Sequence, residues 1–139
     1  MRRTADPRTE AWHLLQELML GQKGRMFAIA SEFELAPAQV MALGRLEPGR
    51  PCAMSELAGA LRCDNSNVTG IADRLEARGL VERRAADHDR RVKMLHLTDE
   101  GAELRERLWE RLSRPPEPFA ALSEEDAGTL RDILRRALG

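Results

Sequence analysis

Three consecutive segments between residues 63 and 101, each bounded by a helix cap or a turn, constrain the fold of this chain more than any other feature. Asp64 is a favourable helix N-cap, and apolar residues then recur at helical spacing until Gly79 ends the segment. Two short runs with β character follow, joined by the charged tip at residues 87–91. Thr98 can cap a further helix whose first turn is acidic. A helix backed by a basic-tipped hairpin is typical of a DNA-reading unit.

We expect the helix at about residues 64–78 and the hairpin, or wing, at about residues 80–98. The strands of the wing are predicted at Leu80–Ala85 and Val92–Thr98, where apolar and polar residues alternate in the second strand. The tip contains neither Gly nor Asn-Gly, which favours a loop longer than two residues.

A second, shorter helix is predicted immediately upstream, with Ser55 as its N-cap and a brief turn at Arg62 and Cys63. Before it, a helix that begins near Pro37 ends at a proline- and glycine-rich break over residues 47–51. Two short helices joined by a tight turn form a helix-turn-helix, in which the second helix enters the major groove.

The polar face of that second helix carries side chains that suit the reading of bases. Asn67 can pair bidentately with adenine, and Thr69 offers a hydroxyl and a methyl group. Gly70 permits a close approach to the duplex, Ser66 suits a base or a phosphate, and Arg74 suits a phosphate. The alternative interpretation of this face is a solvated helix surface without a ligand.

The wing tip concentrates positive charge in Arg90, Arg91 and Lys93. An arginine at a protruding tip can insert into the minor groove, where the potential is negative. The net charge of −1 by itself argues against a nucleic-acid partner, but the charges are unevenly distributed. Residues 62–96 hold eight Lys/Arg against six Asp/Glu, whereas residues 97–139 hold seven against ten. The small basic excess therefore lies in the reading unit.

The outer parts of the chain supply apolar helical faces away from this unit. We expect a disordered arm at residues 1–7, a first dimerisation helix at 8–34, a DNA-binding lobe at 35–98 and dimerisation helices at 99–139. A second copy of the chain explains these faces better than a small internal core, because a symmetric dimer presents two reading helices to a two-fold operator. The expected fold class is mainly α with a small β wing, a winged helix-turn-helix with N- and C-terminal dimerisation helices.

The C-terminal part is predicted to contain two helices. One runs from Asp99 to about Ser113, and the other follows a cap at Ser123, with a proline-rich break at residues 114–118 between them.

Other classes of function find little support in the sequence. His13, His88 and His96 are scattered over three elements, so no metal site is expected. The chain has no phosphate-binding glycine loop, nucleophile elbow or HExxH, and we expect neither enzymatic activity nor a cofactor. No apolar run approaches the roughly 18 residues of a membrane helix, and no signal-type apolar core follows the N-terminus. The expectation is a cytoplasmic protein without membrane contact.

The wing and its flanks carry a resemblance to a known family. Residues 89–101 contain Asp, any residue, Arg, five residues and Leu-Thr, followed by a glycine. Residues 64–69 and 73–81 are similar to that family's recognition helix and its exit. Together they resemble the MarR family of winged helix-turn-helix regulators, over about residues 10–138.

The resemblance implies a homodimer held by the first, fifth and sixth predicted helices, with the fourth helix in the major groove and the wing in the adjacent minor groove of double-stranded DNA. It implies that Arg91 enters the minor groove and that Asp89 orients the wing arginines. Ser66, Asn67 and Thr69 fall where the family touches bases and phosphates. Family members usually repress genes, and many release DNA when a small phenolic or lipophilic compound, an oxidant or a metal binds.

The chain departs from the family pattern in two places. Gly70 stands where many members carry a larger, often basic, side chain, and the fifth helix ends early in a proline-rich break. The family's effector pocket lies between the dimer helices and the reading lobe, which makes Trp12, Met19, Met26 and Phe27 candidate effector-binding residues. The alternative is that this apolar stripe is simply core.

Two further alternatives stay open. Cys63 precedes the N-terminus of the recognition helix, where the helix dipole can lower a thiol pKa, so oxidation could regulate DNA binding. Peroxide-sensing family members, however, carry the reactive cysteine in the first helix, and this chain has none there. The near-zero net charge keeps a winged-helix protein–protein module open, which salt-dependent binding to duplex DNA would distinguish.

Overall fold

Seven helices and three short strands make up residues 6–139, the part of the chain that this computed structural model describes. The predicted fold class, mainly α with a small β wing, is confirmed. The helices are α1 (Pro7–Glu32), α2 (Pro37–Arg45), α3 (Met54–Leu61), α4 (Asn65–Ala77), α5 (Asp99–Ser113), α6 (Glu117–Ala120) and α7 (Glu124–Leu138), and the strands are β1 (Cys52–Ala53), β2 (Val81–Ala85) and β3 (Lys93–Leu97).

The helices that flank the wing begin and end at the residues that the sequence predicts, to within one position. Asp64 caps α4, since its Oδ1 accepts the N–H of Asn67 at 2.9 Å. Gly79 follows α4 with φ at +71°, a conformation that glycine adopts without strain. Thr98 caps α5, since its Oγ1 accepts the N–H of Gly101 at 3.0 Å. These local side-chain contacts set the wing between two fixed helix ends.

The three strands form an antiparallel sheet in the order β1-β3-β2. Cys52 of β1 pairs with Leu95, and Val81 of β2 pairs with Leu97. Residues 86–92 separate β2 from β3, in agreement with the predicted long loop. β1 was not predicted, because two residues are too few to show an alternating pattern.

The hydrophobic core lies beneath α4, between the helices of the lobe and the sheet. Leu43 of α2, Leu57 of α3, Leu75 of α4, Leu95 of β3 and Leu108 of α5 are all fully buried in it. Burying each leucine contributes about 1.5–3 kcal/mol, so this core fixes α4 rigidly on the lobe.

A polar link joins α4 to the end of α1. The Arg78 guanidinium, at the C-cap of α4, donates to the carbonyl oxygens of Phe33 at 3.0 Å and Glu34 at 2.8 Å. Glu34 has φ at +55°, so the chain turns sharply here before α2. The orientation of the lobe is therefore tied directly to the long N-terminal helix.

One predicted helix start and the length of one predicted break differ from the observed structure. Ser55 does not cap α3, because the helix begins at Met54, two residues earlier than a cap at Ser55 predicts, and has no side-chain cap. The strand β1 leads directly into this helix, and its last residue, Ala53, occupies the N-cap position. The proline-rich break is also shorter than predicted, because α6 begins at Glu117 with Pro118 in its first turn. Proline is tolerated there, since the missing N–H would be unbonded in any helix.

The predicted arm at residues 1–7 is wrong for its last two positions. Asp6 caps α1 by accepting the N–H of Arg8 at 2.9 Å, and Pro7 is the first helical residue. Residues 1–5 of that arm lie outside the described residues.

The outer helices bury little of their apolar surface within one chain. α1 buries only Ile29 and Ala30 among its 26 residues, and α7 buries none. Across residues 6–139 no single helix meets the length and hydropathy expected of a membrane span, although α1 and α2 meet them as a pair bent by 82°.

Candidate nucleic-acid interface

The predicted reading residues lie on the surface of α4. Ser66, Asn67, Thr69 and Arg74 are exposed, and Gly70 is half-buried. The buried face of the same helix, formed by Val68, Ile71, Ala72 and Leu75, is anchored in the core. The polar face is therefore presented outward by a rigid support, as base reading requires.

Two hydroxyl groups on this face are held by the first turn of α4. The Ser66 Oγ donates to Oδ1 of Asp64 at 2.8 Å, and the Thr69 Oγ1 donates to the carbonyl oxygen of Asn65 at 2.7 Å. The pKa of Asp64 lies below its usual value because it accepts hydrogen bonds from the Asn67 N–H and from Ser66. These hydrogen bonds fix the orientation of the two hydroxyl groups on the N-terminal turn.

Gly70 leaves an open surface in the middle of the reading face. A Cβ built at this position would meet no atom within 4 Å. Packing within the protein therefore does not require glycine at this position. The absence of a side chain only reduces the bulk of the outer surface.

The wing tip is organised by Asp89 and Arg91. Oδ1 of Asp89 accepts the Arg91 backbone N–H at 3.0 Å and its Nε at 3.2 Å, while Oδ2 accepts Nη2 at 3.3 Å. The Arg91 side chain is 91% exposed. Hydrogen bonds from that side chain, and then from its N–H, hold the pKa of Asp89 below its usual value. A charged Asp89 thus holds an arginine at the tip without burying it.

A groove of about 470 Å³ lies between α4 and the wing. It brings together three of the predicted DNA-binding residues, Thr69 from α4 and Arg91 and Lys93 from the wing. Hydroxyl and amide groups lie on one wall and cations on the other, which is the chemistry that binds a phosphate backbone. The other predicted DNA-binding residues lie outside the groove: Ser66, Asn67, Gly70, Arg74 and Arg90.

Sequence reasoning missed three polar residues that line this groove, Ser55, Asn65 and Arg83. Ser55 was predicted as a helix cap, and its hydroxyl instead belongs to the groove at the start of α3. Arg83 pairs with Asp73 and Glu76 of α4. The available signal was the spacing of those two acids, since residues three apart share a helix face.

The candidate effector-binding residues on α1 are not brought together in one pocket. All four side chains are exposed: Trp12, Met19, Met26 and Phe27. Of these four, only Met19 is among the residues that line a cavity of about 270 Å³ on α1. A different groove, of about 550 Å³, lies between α1 and α6. It is lined by residues that were not predicted, among them Leu14, Leu18, Arg25, Pro116 and Pro118.

The two cysteines differ in their surroundings. Cys63 is half-buried and packs against the hydrophobic core at the turn before α4. Cys52 is buried, and burial followed by the charge of Glu56 raises the pKa of its thiol. Within residues 6–139, no group of three or more His, Cys, Asp or Glu side chains is placed to hold a metal ion.

Comparison with known sequences identifies relatives of this chain. A profile of the MarR family matches residues 35–93, which contain α2, α3, α4, β2 and the start of the wing's second strand. Transcriptional repressor MprA of Escherichia coli strain K12 is 44% identical over 85 residues, which cover 60% of this chain and 48% of MprA. The chain thus spans about half the length of this relative.

Two solved structures extend the likeness beyond the lobe. The crystal structure of YusO from Bacillus subtilis is 30% identical, covers 98% of both chains and superposes with a TM-score of 0.79. A mutant of S. aureus MepR bound to an oligodeoxyribonucleotide is 21% identical, covers 92% of this chain and 95% of its own, and has a TM-score of 0.71. The MepR likeness is one of fold.

Proposed function

The chain belongs to the MarR family, and on that premise we propose that it is a sequence-specific DNA-binding transcriptional regulator. The observation that carries this proposal is the groove in which Thr69 of α4 faces Arg91 and Lys93 of the wing. A reading helix and a basic hairpin are thereby fixed side by side on one core, so a duplex can meet both at once.

In this proposal α4 lies in the major groove and the wing reaches the adjacent minor groove. The N-terminal residues of a recognition helix contact base edges, and Ser66, Asn67 and Thr69 occupy that half of α4. Arg74 lies at the far end of the helix, where a phosphate contact fixes the register. Arg91 supplies the charge for the minor groove.

We further propose that the protein acts as a homodimer. The apolar stripe of α7 has no core to enter, with Ile133 47% and Leu138 86% exposed, and Trp12, Leu14 and Phe27 of α1 are likewise exposed. A second copy that covers these faces would present two α4 helices to a pseudo-palindromic operator with half-sites about one helical turn apart.

Release by a small-molecule effector completes the proposal. The groove between α1 and α6 supports it, because about 550 Å³ falls in the usual range of small-molecule pockets and apolar side chains line much of it. MprA is named a repressor, which favours repression as the mode of regulation. Loss of DNA binding in a screen of phenolic and lipophilic compounds would identify the effector.

The deciding experiment is a salt titration of binding to duplex DNA. Duplexes are first selected by the wild-type protein from a pool with randomised cores. The logarithm of affinity should fall linearly with the logarithm of salt concentration, because released counterions drive phosphate binding. Binding that is absent, or that does not depend on salt, would refute the DNA-binding proposal and favour a protein–protein module.

Arg91→Ala tests the role of the wing within the same titration. At fixed salt this substitution should weaken binding to the selected duplex by about 1–3 kcal/mol, or roughly 5- to 150-fold. It should not change the oligomeric state of the protein. Arg8→Ala is a closely matched control. Arg8 forms the same two-residue chelate with Asp6 and is also 91% exposed, but it lies at the start of α1. Equal effects of the two substitutions would exclude a specific wing contact.

A further inference from the structure

Arg83 on β2 forms a bridge to two acidic side chains of α4. Its Nη2 contacts Oδ1 of Asp73 and donates to Oε1 of Glu76 at 3.0 Å. The backbone N–H of Arg83 donates to Oε2 of Glu76, also at 3.0 Å. The strand itself is therefore attached to the recognition helix, in addition to the side chain.

The bridge lies beyond the backbone hydrogen bonds that connect the wing to α4, at a level where β3 is paired with β1 on its other side. At the wing's base, the Thr98 N–H donates to the Leu80 carbonyl at 3.1 Å and the Leu80 N–H donates to the Leu75 carbonyl at 3.0 Å. β2 is an edge strand of the sheet, so its outward N–H groups have no strand partner. Glu76 satisfies one of them at Arg83, two residues beyond Val81, where the strand begins. This contact restrains the tilt of the hairpin relative to α4.

The bridge also faces the proposed DNA groove. Arg83 lines that groove together with Thr69 and Arg91, and its side chain remains 26% exposed. Hydrogen bonds from Arg83 lower the pKa of Glu76, which means that the pairing favours the charged carboxylate. Two acids beside a phosphate path would repel DNA if they were unpaired, so the bridge has an electrostatic effect and a geometric one.

We propose that Arg83 is a positioning residue for DNA binding, which holds the wing at a fixed distance from α4 so that Arg91 and the reading face engage adjacent grooves as one rigid unit. The inference rests on the proposed function. When α4 and the wing form one rigid body, binding of α4 to DNA places the wing at a high effective concentration near its own groove. A hinged wing has a lower effective concentration there. Loss of the bridge therefore reduces the contribution of Arg91 to DNA affinity, although Arg91 itself is unchanged.

The first test replaces Arg83 with lysine, which keeps the charge but lacks the rigid, planar guanidinium whose Nη2 contacts both carboxylates. Arg84→Lys is the matched control, because Arg84 lies on the same strand and pairs with Glu82, two residues away. On the selected duplex, Arg83→Lys should weaken binding about three- to tenfold. Arg84→Lys should leave the affinity unchanged.

A double-mutant cycle with Arg91→Ala distinguishes positioning from a simple contact. Arg91→Ala should cost at least about threefold less in the Arg83→Lys protein than in wild type, since the wing is already misplaced there. In the Arg84→Lys protein it should cost as much as in wild type. Additive effects of the Arg83 and Arg91 substitutions would overturn the positioning role.

The reciprocal variant Asp73→Asn/Glu76→Gln separates geometry from charge. It removes two negative charges, so electrostatics alone predicts tighter binding to every duplex. Positioning predicts tighter binding to an unselected duplex, weaker binding to the selected one and a smaller Arg91→Ala effect. Tighter binding to both duplexes with the full Arg91→Ala effect would overturn the proposal.

The outcomes also separate the inference from the proposed function. If the wild-type protein shows no salt-dependent binding to duplex DNA, the proposed function fails. If it binds and Arg91→Ala weakens it, but neither bridge variant changes that effect, the bridge inference alone fails. Far-UV circular dichroism measures whether each variant is folded. If the Arg83→Lys protein does not fold, the reciprocal variant still tests the bridge.

Discussion

Gly101 lies where α5 passes close to Leu80 at the base of the wing, and its replacement by alanine should destabilise the protein. A Cβ at this position would lie 2.0 Å from the Leu80 carbonyl oxygen, 2.9 Å from its carbonyl carbon and 3.0 Å from Cδ1 of Leu97. The nearest atoms belong to the backbone, so a side-chain rotation cannot relieve the overlap. The start of α5 must move away from Leu80 by more than an ångström to restore ordinary contact.

The expected magnitude follows from the contacts that this movement breaks. Overpacking of a tight interior costs about 1–3 kcal/mol. The movement also weakens the hydrogen bond from the Thr98 N–H to Leu80 and the Thr98 cap on Gly101, each worth about 1 kcal/mol. Alanine's higher helix propensity offsets about 1 kcal/mol. The net loss in the free energy of unfolding is about 2–4 kcal/mol.

Gly70→Ala provides the matched control, because Gly70 is also a helical glycine but a Cβ there meets nothing within 4 Å. This substitution should raise the free energy of unfolding by up to about 1 kcal/mol. Urea denaturation followed by circular dichroism, at one protomer concentration for all proteins, measures both changes. A Gly101→Ala protein as stable as wild type would refute the close approach.

Three other predictions concern the reading face, the wing and the dimer. Asn67→Ala should relax base preference in a binding-site selection more than Arg74→Ala does, because a base contact specifies sequence and a phosphate contact does not; the reverse order would reject this division of roles. An NMR titration should give the Asp89 carboxyl a pKa below its ordinary value of 3.8. The charged carboxylate therefore orders the wing fully above pH 3.8, and this contribution is lost as the pH falls through the lowered pKa. A midpoint at or above 3.8 would contradict the chelate with Arg91. Ile133→Glu should halve the molar mass measured by light scattering at micromolar concentration, and an unchanged mass would show that α7 does not hold the dimer.

Much of the reading unit could be predicted because its signals are local. Asp64, Gly79 and Thr98 act on backbone groups within a few residues of themselves, so their effect can be read directly from the sequence. Asp89 and Arg91, two positions apart, form the chelate at the wing tip, and that pairing was expected from the family resemblance. The family resemblance added their separate roles in DNA binding, which stay predictions.

The features that the sequence did not predict depend on contacts between distant segments. The two-residue strand β1 exists because Cys52 meets Leu95, 43 positions later. The Arg83 bridge requires the turn at Gly79 to bring β2 back along α4. The candidate effector residues on α1 are exposed in one chain, so their surroundings depend on what covers that helix.

The amino-acid sequence by itself determined the order of helices and wing, because caps, turns and apolar periodicity act within one or two helical turns. It also determined which face of α4 is polar, since that face is fixed once Val68, Ile71 and Leu75 are buried. Only the tertiary structure decided which of these polar groups share a groove with the wing, why residue 101 is glycine and what sets the wing's distance from α4. Those properties arise from packing between elements, where the separation of atoms in space is unrelated to their separation along the chain.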